Sequence, residues 1–195
     1  MSCANLLMFK YQSNNLMFKE MKNLKQIPII PAFLSLLLLF SCQDTQLKKD
    51  LLDYHKAEVE EASNIEVIKK WYSLLDKQDF DSWSSLFTDD SRGFMGSSKK
   101  PSSYKDAIPF IKKFYVAFPD YSHKIENIFA SRNYVVAQLL CTGTHKNTFA
   151  EIPATNNKIE YKEIFIFKMK NGKIQETYGI EDNLTMMKQL GLELK

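Results

Sequence analysis

Hydrophobic positions change their period once along the chain, from helix-like before residue 120 to strand-like after it. A capping pattern, Ser63-x-x-Glu66, precedes apolar residues at helical spacing and predicts an amphipathic helix over residues 63–77. A second short helix is predicted over residues 81–87. A third follows the polar loop of residues 99–103 and ends at Pro119, which cannot continue a helix. Between the last two, residues 89–91 predict a turn and residues 93–96 a short strand.

From Tyr121 onward, apolar and polar residues alternate. The first alternating run places Tyr121, His123, Ile125, Asn127 and Phe129 on one face. Further strands are predicted over residues 134–145, 158–169 and 173–180, with Asn171-Gly172 as a tight hairpin turn between the last two. Asp182 is expected to cap a short final helix that ends near residue 190.

Helices grouped before an antiparallel meander predict the α+β class. We expect three N-terminal helices packed on a strongly curved antiparallel sheet that encloses a cone-shaped pocket, and the aromatic residues of the helices suit this arrangement.

The N-terminal region has the pattern of an export signal. Lys22 and Lys25 precede an apolar run at residues 27–40, which is shorter than the ~20 residues of a spanning helix. Charged residues follow at once. We therefore expect residues 1–41 to be a signal peptide, with Met21 as the favoured translation start.

Leu39-Phe40-Ser41-Cys42 resembles the bacterial lipobox, in which the cysteine is lipidated and becomes the mature N-terminus. The alternatives are a plain secretory peptide with a coincidental cysteine, or an uncleaved anchor. The resemblance implies lipidation at Cys42 and a charged tether over residues 42–62. Residues 63–195 then form one domain on a bacterial membrane, facing the periplasm or the cell surface, with the outer membrane favoured.

Charge and metal-ligand residues narrow the functional classes. Residues 1–41 hold four of the 26 basic and one of the 23 acidic residues, so the remainder is balanced at 22 of each and favours no nucleic-acid partner. The three histidines are scattered, and no cysteine pattern predicts a metal site or a cofactor. Cys141 is expected to be a small buried residue, and His123 a strand-surface residue.

Four stretches resemble the SnoaL-like (polyketide or ester cyclase) branch of the nuclear transport factor 2-like superfamily. They are the opening IEVIKKWYSLLDKQDFDSWSSLF, then AFPDYSHKIENIFA, GTHKNTFAEIPATNNKIEY and the closing NGKIQETYGIEDNLTMMKQLG. The resemblance implies the cone-shaped fold. It also implies a His on the penultimate strand and an Asp on the last, which act as acid–base groups in aldol closure. Alignment on the final hairpin places these two at Phe165 and Gly179, neither of which transfers protons. If this alignment is shifted by one or two residues, Glu181 becomes a possible member of the pair.

Glu163 is the strongest remaining candidate for chemistry, since period two places it on the face of Tyr161, Phe165 and Phe167. A carboxylate among aromatic residues is a candidate general base or acid. The alternative is a partly exposed acid paired with a lysine. His145, where the family has a His after Gly-Thr, is the candidate second proton carrier, or a strand-end residue satisfied by the backbone.

Three functions remain open. The first is a binding module whose apolar pocket holds a small hydrophobic or aromatic molecule, lined by the aromatic residues Trp71, Tyr72, Phe94, Phe110, Phe114, Tyr161, Phe165 and Phe167. For each of these residues, simple core packing is the alternative. The second is an enzyme of ester cyclase, isomerase or hydrolase type that uses Glu163 with His145. The third is an assembly role, with a homodimer formed through the sheet.

Overall fold

The computed structural model describes residues 29–98 and 100–192, with side chains from residue 45 onward. The chain divides into two compact units between Asp53 and Tyr54. Residues 1–28 of the expected signal peptide lie outside the described residues, and so does the side chain of Cys42. Among the helices that are described, none is both long and apolar enough to cross a membrane.

The first helix, α1, spans Ile29–Asp76 and passes through Ser63 without interruption. The expected helix start at Ser63 is therefore wrong. The capping motif has no free N–H groups to bond here, because the charged helix formers before it continue the same helix. Glu61, in the preceding turn, instead accepts the backbone N–H of Arg132 at 2.6 Å.

The remaining elements follow in the order helix, strand, helix, four strands, helix. They are α2 (Phe80–Ser84), β1 (Phe87–Met95), α3 (Tyr104–Ala117), β2 (Ser122–Ser131), β3 (Tyr134–Thr144), β4 (Lys158–Lys170), β5 (Lys173–Glu181) and α4 (Asn183–Gln189). The strands form a sheet of order β1-β5-β4-β3-β2. Its neighbouring strands are antiparallel except β1 and β5, which run parallel. The expected α+β class, with three helices before the meander, is confirmed.

Two local predictions fail because a strand is irregular. Residues 89–91, predicted as a turn, lie inside β1, whose register with β5 shifts between Phe87 and Arg92. In β2 a bulge between Ile125 and Asn127 moves the inward face from odd to even residues. Phe129 is consequently exposed, contrary to the simple alternation.

Other signals act as predicted. Asn171 and Gly172 both have positive φ and connect β4 to β5 as a two-residue hairpin. The helix α3 ends at Ala117, just before Pro119, and begins with a capping box between Ser103 and Asp106. The core lies between the helices and the inward face of the sheet, with Phe118, Phe167 and Ile174 fully buried.

Candidate active site

A cavity of about 370 Å³ lies between the helices and the inward face of the sheet. This volume falls at the lower end of the range for small-molecule sites, roughly 300–1,000 Å³. Its wall is mainly aromatic and aliphatic, and polar side chains reach it from the sheet, the loop before α3, α3 itself and α4. The lining residues include Trp71, Trp83, Phe110, Phe114, Tyr115, Tyr121, His123, Tyr161, Glu163, Phe165 and Glu181.

Five of the eight aromatic residues predicted for a pocket line this cavity. They are Trp71, Phe110, Phe114, Tyr161 and Phe165. The other three lie elsewhere. Tyr72 is packed against Phe167, which is fully buried in the core, and Phe94 stacks on Tyr178 at 4.9 Å. The two-residue alternation along β4 therefore identifies the correct face of the strand, but it does not distinguish residues of the cavity wall from residues of the core.

Glu163 lies on that face with only 5% of its surface exposed, so the alternative of a partly exposed acid does not apply. The Tyr121 hydroxyl donates to Glu163 Oε1 at 3.0 Å and lies 2.6 Å from the Tyr161 hydroxyl. Because a hydroxyl carries one proton, Tyr161 is the donor to Tyr121. A hydrogen-bonded chain thus runs from Tyr161 through Tyr121 to the carboxylate. Burial, followed by the charge of Glu163, raises the pKa of both tyrosines, which keeps them protonated as donors.

Glu181 is the direct cross-strand partner of Glu163 and lines the same cavity. Burial and the neighbouring Glu163 carboxylate raise the pKa of Glu181 to about 6, and a hydrogen bond from Asn183 opposes the rise. The Asn183 amide donates to Glu181 Oε2 at 3.2 Å. Two carboxyl groups on neighbouring strands of an apolar cavity favour a state in which one of them holds a proton.

His123 also lines the cavity, which corrects the expectation of a strand-surface residue. The β2 strand begins next to the end of α1, and this brings the ring to Asp76. Asp76 Oδ1 lies 2.5 Å from His123 Nδ1. The alternation had placed His123 on the inward face, but its polarity argued for exposure. Asp76, the last residue of α1, carried no signal for a site.

The structure does not bring His145 into the cavity lining. The residue follows β3, is fully buried and stacks on Phe118 with ring centroids 5.1 Å apart. Its Nδ1 accepts the backbone N–H of Thr155 at 3.3 Å, and the Thr155 hydroxyl lies 3.1 Å from the same nitrogen. These contacts agree with the alternative of a strand-end histidine at Nδ1 only, since Nε2 is buried without a hydrogen-bond partner among the described residues.

Phe165 and Gly179, where the alignment placed the family's acid–base pair, are direct cross-strand partners. A Cβ atom on Gly179 would lie 2.6 Å from Phe165 Cε1, so the phenyl ring occupies the space of a side chain at position 179. The next cross-strand pair on the same face is Glu163 and Glu181. The titratable pair thus lies one pair further along the same two strands.

His123, Cys141 and Glu163 bring potential metal-ligand atoms within 4.8 Å of one another. Burial, followed by the charge of Glu163, raises the pKa of the Cys141 thiol. This favours the neutral S–H form, whereas the thiolate is the metal ligand. Cys141 is therefore a neutral thiol beside His123 and Glu163.

Comparison with known proteins identifies the family of this chain. The family model for SnoaL-like polyketide cyclases matches residues 65–190. No curated protein matches the chain significantly. Among solved structures, AclR from Streptomyces galilaeus, a candidate hydroxylase, has 17% sequence identity and a TM-score of 0.63; the match covers 67% of this chain and 97% of AclR.

Two further solved structures show the same fold. The SnoaL-like protein from Jannaschia sp. CCS1 has 20% identity and a TM-score of 0.62 over 69% of this chain and 95% of its own. The LEH-like epoxide hydrolase of M. tuberculosis has 15% identity and a TM-score of 0.53, covering 67% of this chain and 91% of the hydrolase. Together with the family model, these similarities show that the chain belongs to the SnoaL-like polyketide cyclase family.

Proposed function

We propose that the domain is a proton-transfer enzyme that acts on a small, largely apolar molecule with Glu163 as its general base. The observation that supports this proposal is the placement of a buried carboxylate on the wall of an aromatic cavity, hydrogen-bonded to Tyr121. A carboxylate held in place beside a bound substrate can act as a general base. A simple binding pocket for apolar ligands has no need of such a group.

The neighbouring groups support the roles of base and acid. The Tyr161–Tyr121 chain orients the Glu163 carboxylate without titrating, because burial raises the pKa of both phenols. Glu181 holds a proton in slightly acidic solution and releases it above about pH 6. The aromatic wall selects for flat or apolar substrates. Because a general base must have a proton to remove, the substrate should also carry an acidic C–H or O–H.

The probe 5-nitrobenzisoxazole tests this proposal, since it is a small aromatic molecule with an acidic ring C–H. A base removes the proton, the N–O bond breaks, and a coloured nitrile-substituted phenolate is released. We expect the wild-type protein to accelerate this elimination. Glu163→Gln should lower kcat by about 100-fold or more while probe binding, measured by tryptophan quenching, is retained. Glu160→Gln, an exposed acid on the same strand, is the matched control.

Failure has two distinct forms in this experiment. A wild-type protein that binds the probe but converts it no faster than acetate would refute the catalytic role. It would favour the second candidate function, a binding module for small hydrophobic or aromatic molecules. The substitution of the family's acid–base positions by Phe165 and Gly179 supports that candidate. A protein that does not bind the probe would argue against both.

We further propose that the domain is a bacterial lipoprotein, anchored to the outer membrane through lipid on Cys42. The support is the lipobox-like sequence at residues 39–42 and the apolar run before it. Cys42→Ala should move the protein from the membrane to the soluble fraction, and metabolic labelling with a palmitate analogue should be lost. Continued membrane association of the variant would refute the anchor.

Finally, we propose that two copies pair through the outer face of the sheet. Ile164 and Ile180 are cross-strand partners on this face, and they are 47% and 62% exposed. Ile166 and Tyr178 form the next pair and are also partly exposed. Contiguous exposed apolar residues favour association. Light scattering should give a dimer at micromolar concentration and a monomer for Ile180→Lys; a monomeric wild type would exclude the pairing.

A further inference from the structure

His123 and Asp76 form a hydrogen-bonded pair on one side of the cavity. Asp76 Oδ2 accepts the backbone N–H of His123 at 3.2 Å, and Oδ1 lies 2.5 Å from the ring Nδ1. The Tyr115 hydroxyl donates to Oδ1 at 3.4 Å. The His123 side chain is 5% exposed and the Asp76 side chain 28%. Asp76 therefore holds both the backbone and the ring of His123.

This contact determines where the imidazole carries its proton. An ionised carboxylate only accepts hydrogen bonds, so Nδ1 is the donor to Asp76. The neutral ring then has its lone pair on Nε2, which suits a base. The protonated ring donates from Nε2 and is stabilised by the Asp76 charge, which suits an acid. The same arrangement orients the histidine in serine proteases.

Because Nδ1 is bonded to Asp76, Nε2 is the ring nitrogen from which His123 can contact a molecule in the cavity that it lines. A ring nitrogen of His123 lies within 4.8 Å of a carboxylate oxygen of Glu163 and of the Cys141 thiol. The side chains of His123 and Glu163 are therefore close enough to contact neighbouring atoms of one small substrate.

We infer that His123 is a second catalytic residue of this site and that Asp76 is its positioning residue. The inference rests on the proposed function and assigns it a reaction class. Glu163 takes a proton from a carbon of the substrate, and the electron pair of that C–H bond forms a new π bond while the carbonyl π bond, or the bond to a leaving oxygen, breaks. Protonated His123 donates to the oxygen that gains negative charge. The substrate gains and loses one proton, so the class is an isomerisation or an elimination of a carbonyl or hydroxyl compound.

Titratable groups from several elements lie around the His123 ring. The titratable groups around it are Tyr72 and Asp76 of α1, Tyr115 of α3, Tyr121, Cys141 of β3, Glu163 of β4 and Glu181 of β5. The cationic residue Arg92 of β1 also lines the cavity.

The elimination of 5-nitrobenzisoxazole by the full chain tests the inference. When the N–O bond breaks, the departing phenolate oxygen gains charge, and His123 should donate to it. His123→Gln should lower kcat by roughly 100-fold with little change in KM, and should remove one limb of the pH profile. Asp76→Asn should lower kcat in the same direction, because an amide can donate to Nδ1 and favour the wrong tautomer; Asp76→Glu should restore part of it.

His55→Gln is the matched control. His55 also contacts a carboxylate through Nδ1, at 3.3 Å from Glu58, but its side chain is 72% exposed. The kcat and pH profile of His55→Gln should equal those of the wild type. If His123→Gln retains the wild-type kcat and pH profile while Glu163→Gln is inactive, the role of His123 is refuted and the proposed function stands. If Glu163→Gln remains active, the proposed function itself fails.

Nitrogen-15 NMR of the wild-type histidine rings provides a measurement that needs no stable variant. His123 should show a protonated Nδ1 across the pH range in which the protein is folded, with Nε2 gaining its proton as pH falls. A neutral ring with its proton on Nε2 would overturn the inference, because Asp76 would then not position the ring as described.

Discussion

Replacing Glu181 by Gln should stabilise the protein at neutral pH, because it removes a carboxyl group whose ionised form is disfavoured in the folded state. Burial and the Glu163 carboxylate raise the pKa of Glu181 from 4.5 to about 6. The difference of about 1.5 pKa units corresponds to about 2 kcal/mol of unfolding free energy, at about 1.4 kcal/mol per unit. Gln keeps the shape and can still accept the hydrogen bond from Asn183.

The pH dependence has a definite sign. Because the folded protein binds this proton more tightly than the unfolded chain, the stabilisation from Glu181 is complete below the unfolded pKa of 4.5 and is lost as pH rises through about 6. Glu181→Gln should therefore show no advantage at about pH 4 and the full advantage, about 2 kcal/mol, above about pH 7. Glu163→Gln should lower the pKa of Glu181, but only in part, since burial is the larger cause.

Urea unfolding followed by tryptophan fluorescence measures this difference, since Trp71 and Trp83 are both buried. The wild type, Glu181→Gln and Glu160→Gln would be compared across this pH range, with Glu160→Gln as the exposed control on β4. An equal difference between wild type and Glu181→Gln at low and neutral pH would refute the reasoning, and so would a less stable Glu181→Gln at pH 7.

Three further substitutions test side-chain packing in the sheet and core and backbone strain at the β4–β5 turn. Gly179→Ala places a Cβ atom 2.6 Å from Phe165 Cε1; it should destabilise by about 1–3 kcal/mol, and combination with Phe165→Ala should remove the clash. Phe167→Ala, at a fully buried position, should cost about 3–5 kcal/mol in urea unfolding. Gly172→Ala should cost about 1–2 kcal/mol through its positive φ alone, since a Cβ atom there meets nothing within 4 Å; an unchanged midpoint would exclude backbone strain at this turn.

The sheet could be predicted from the sequence because alternation and turn residues are local signals. Tyr134, Lys158 and Lys173 begin the observed strands β3, β4 and β5 as predicted. The bulge in β2 could not be predicted, because one extra residue changes the face of all that follow without changing the alternation itself. The parallel pairing of β1 with β5 is likewise a non-local contact that no run of residues indicates.

The site was predicted only in part, for a similar reason. Glu163 was identifiable because its polarity interrupts an apolar face. His123 and Asp76 are separated by 47 positions and meet only because the end of α1 packs beside the start of β2. His145 had the stronger sequence signal, as a histidine after Gly-Thr, yet it lies in the core, stacked on Phe118 and bonded at Nδ1 by the Thr155 backbone. Residue type indicates what a side chain can do, whereas packing determines whether a cavity reaches it.

The arrangement on β4 and β5 explains how the chain can hold Phe165 and Gly179, where the alignment places the family's acid–base pair, and still bear an acidic site. Phe165 and Gly179 fit each other sterically, since the ring fills the space beside the glycine. Glu163 and Glu181 form the next cross-strand pair on the same face. Because the pKa of Glu181 is raised, its carboxyl opposes folding at neutral pH, so packing alone does not account for it. An uncharged residue in place of Glu181 would avoid this cost, and the presence of the acid agrees with the proposed proton transfer.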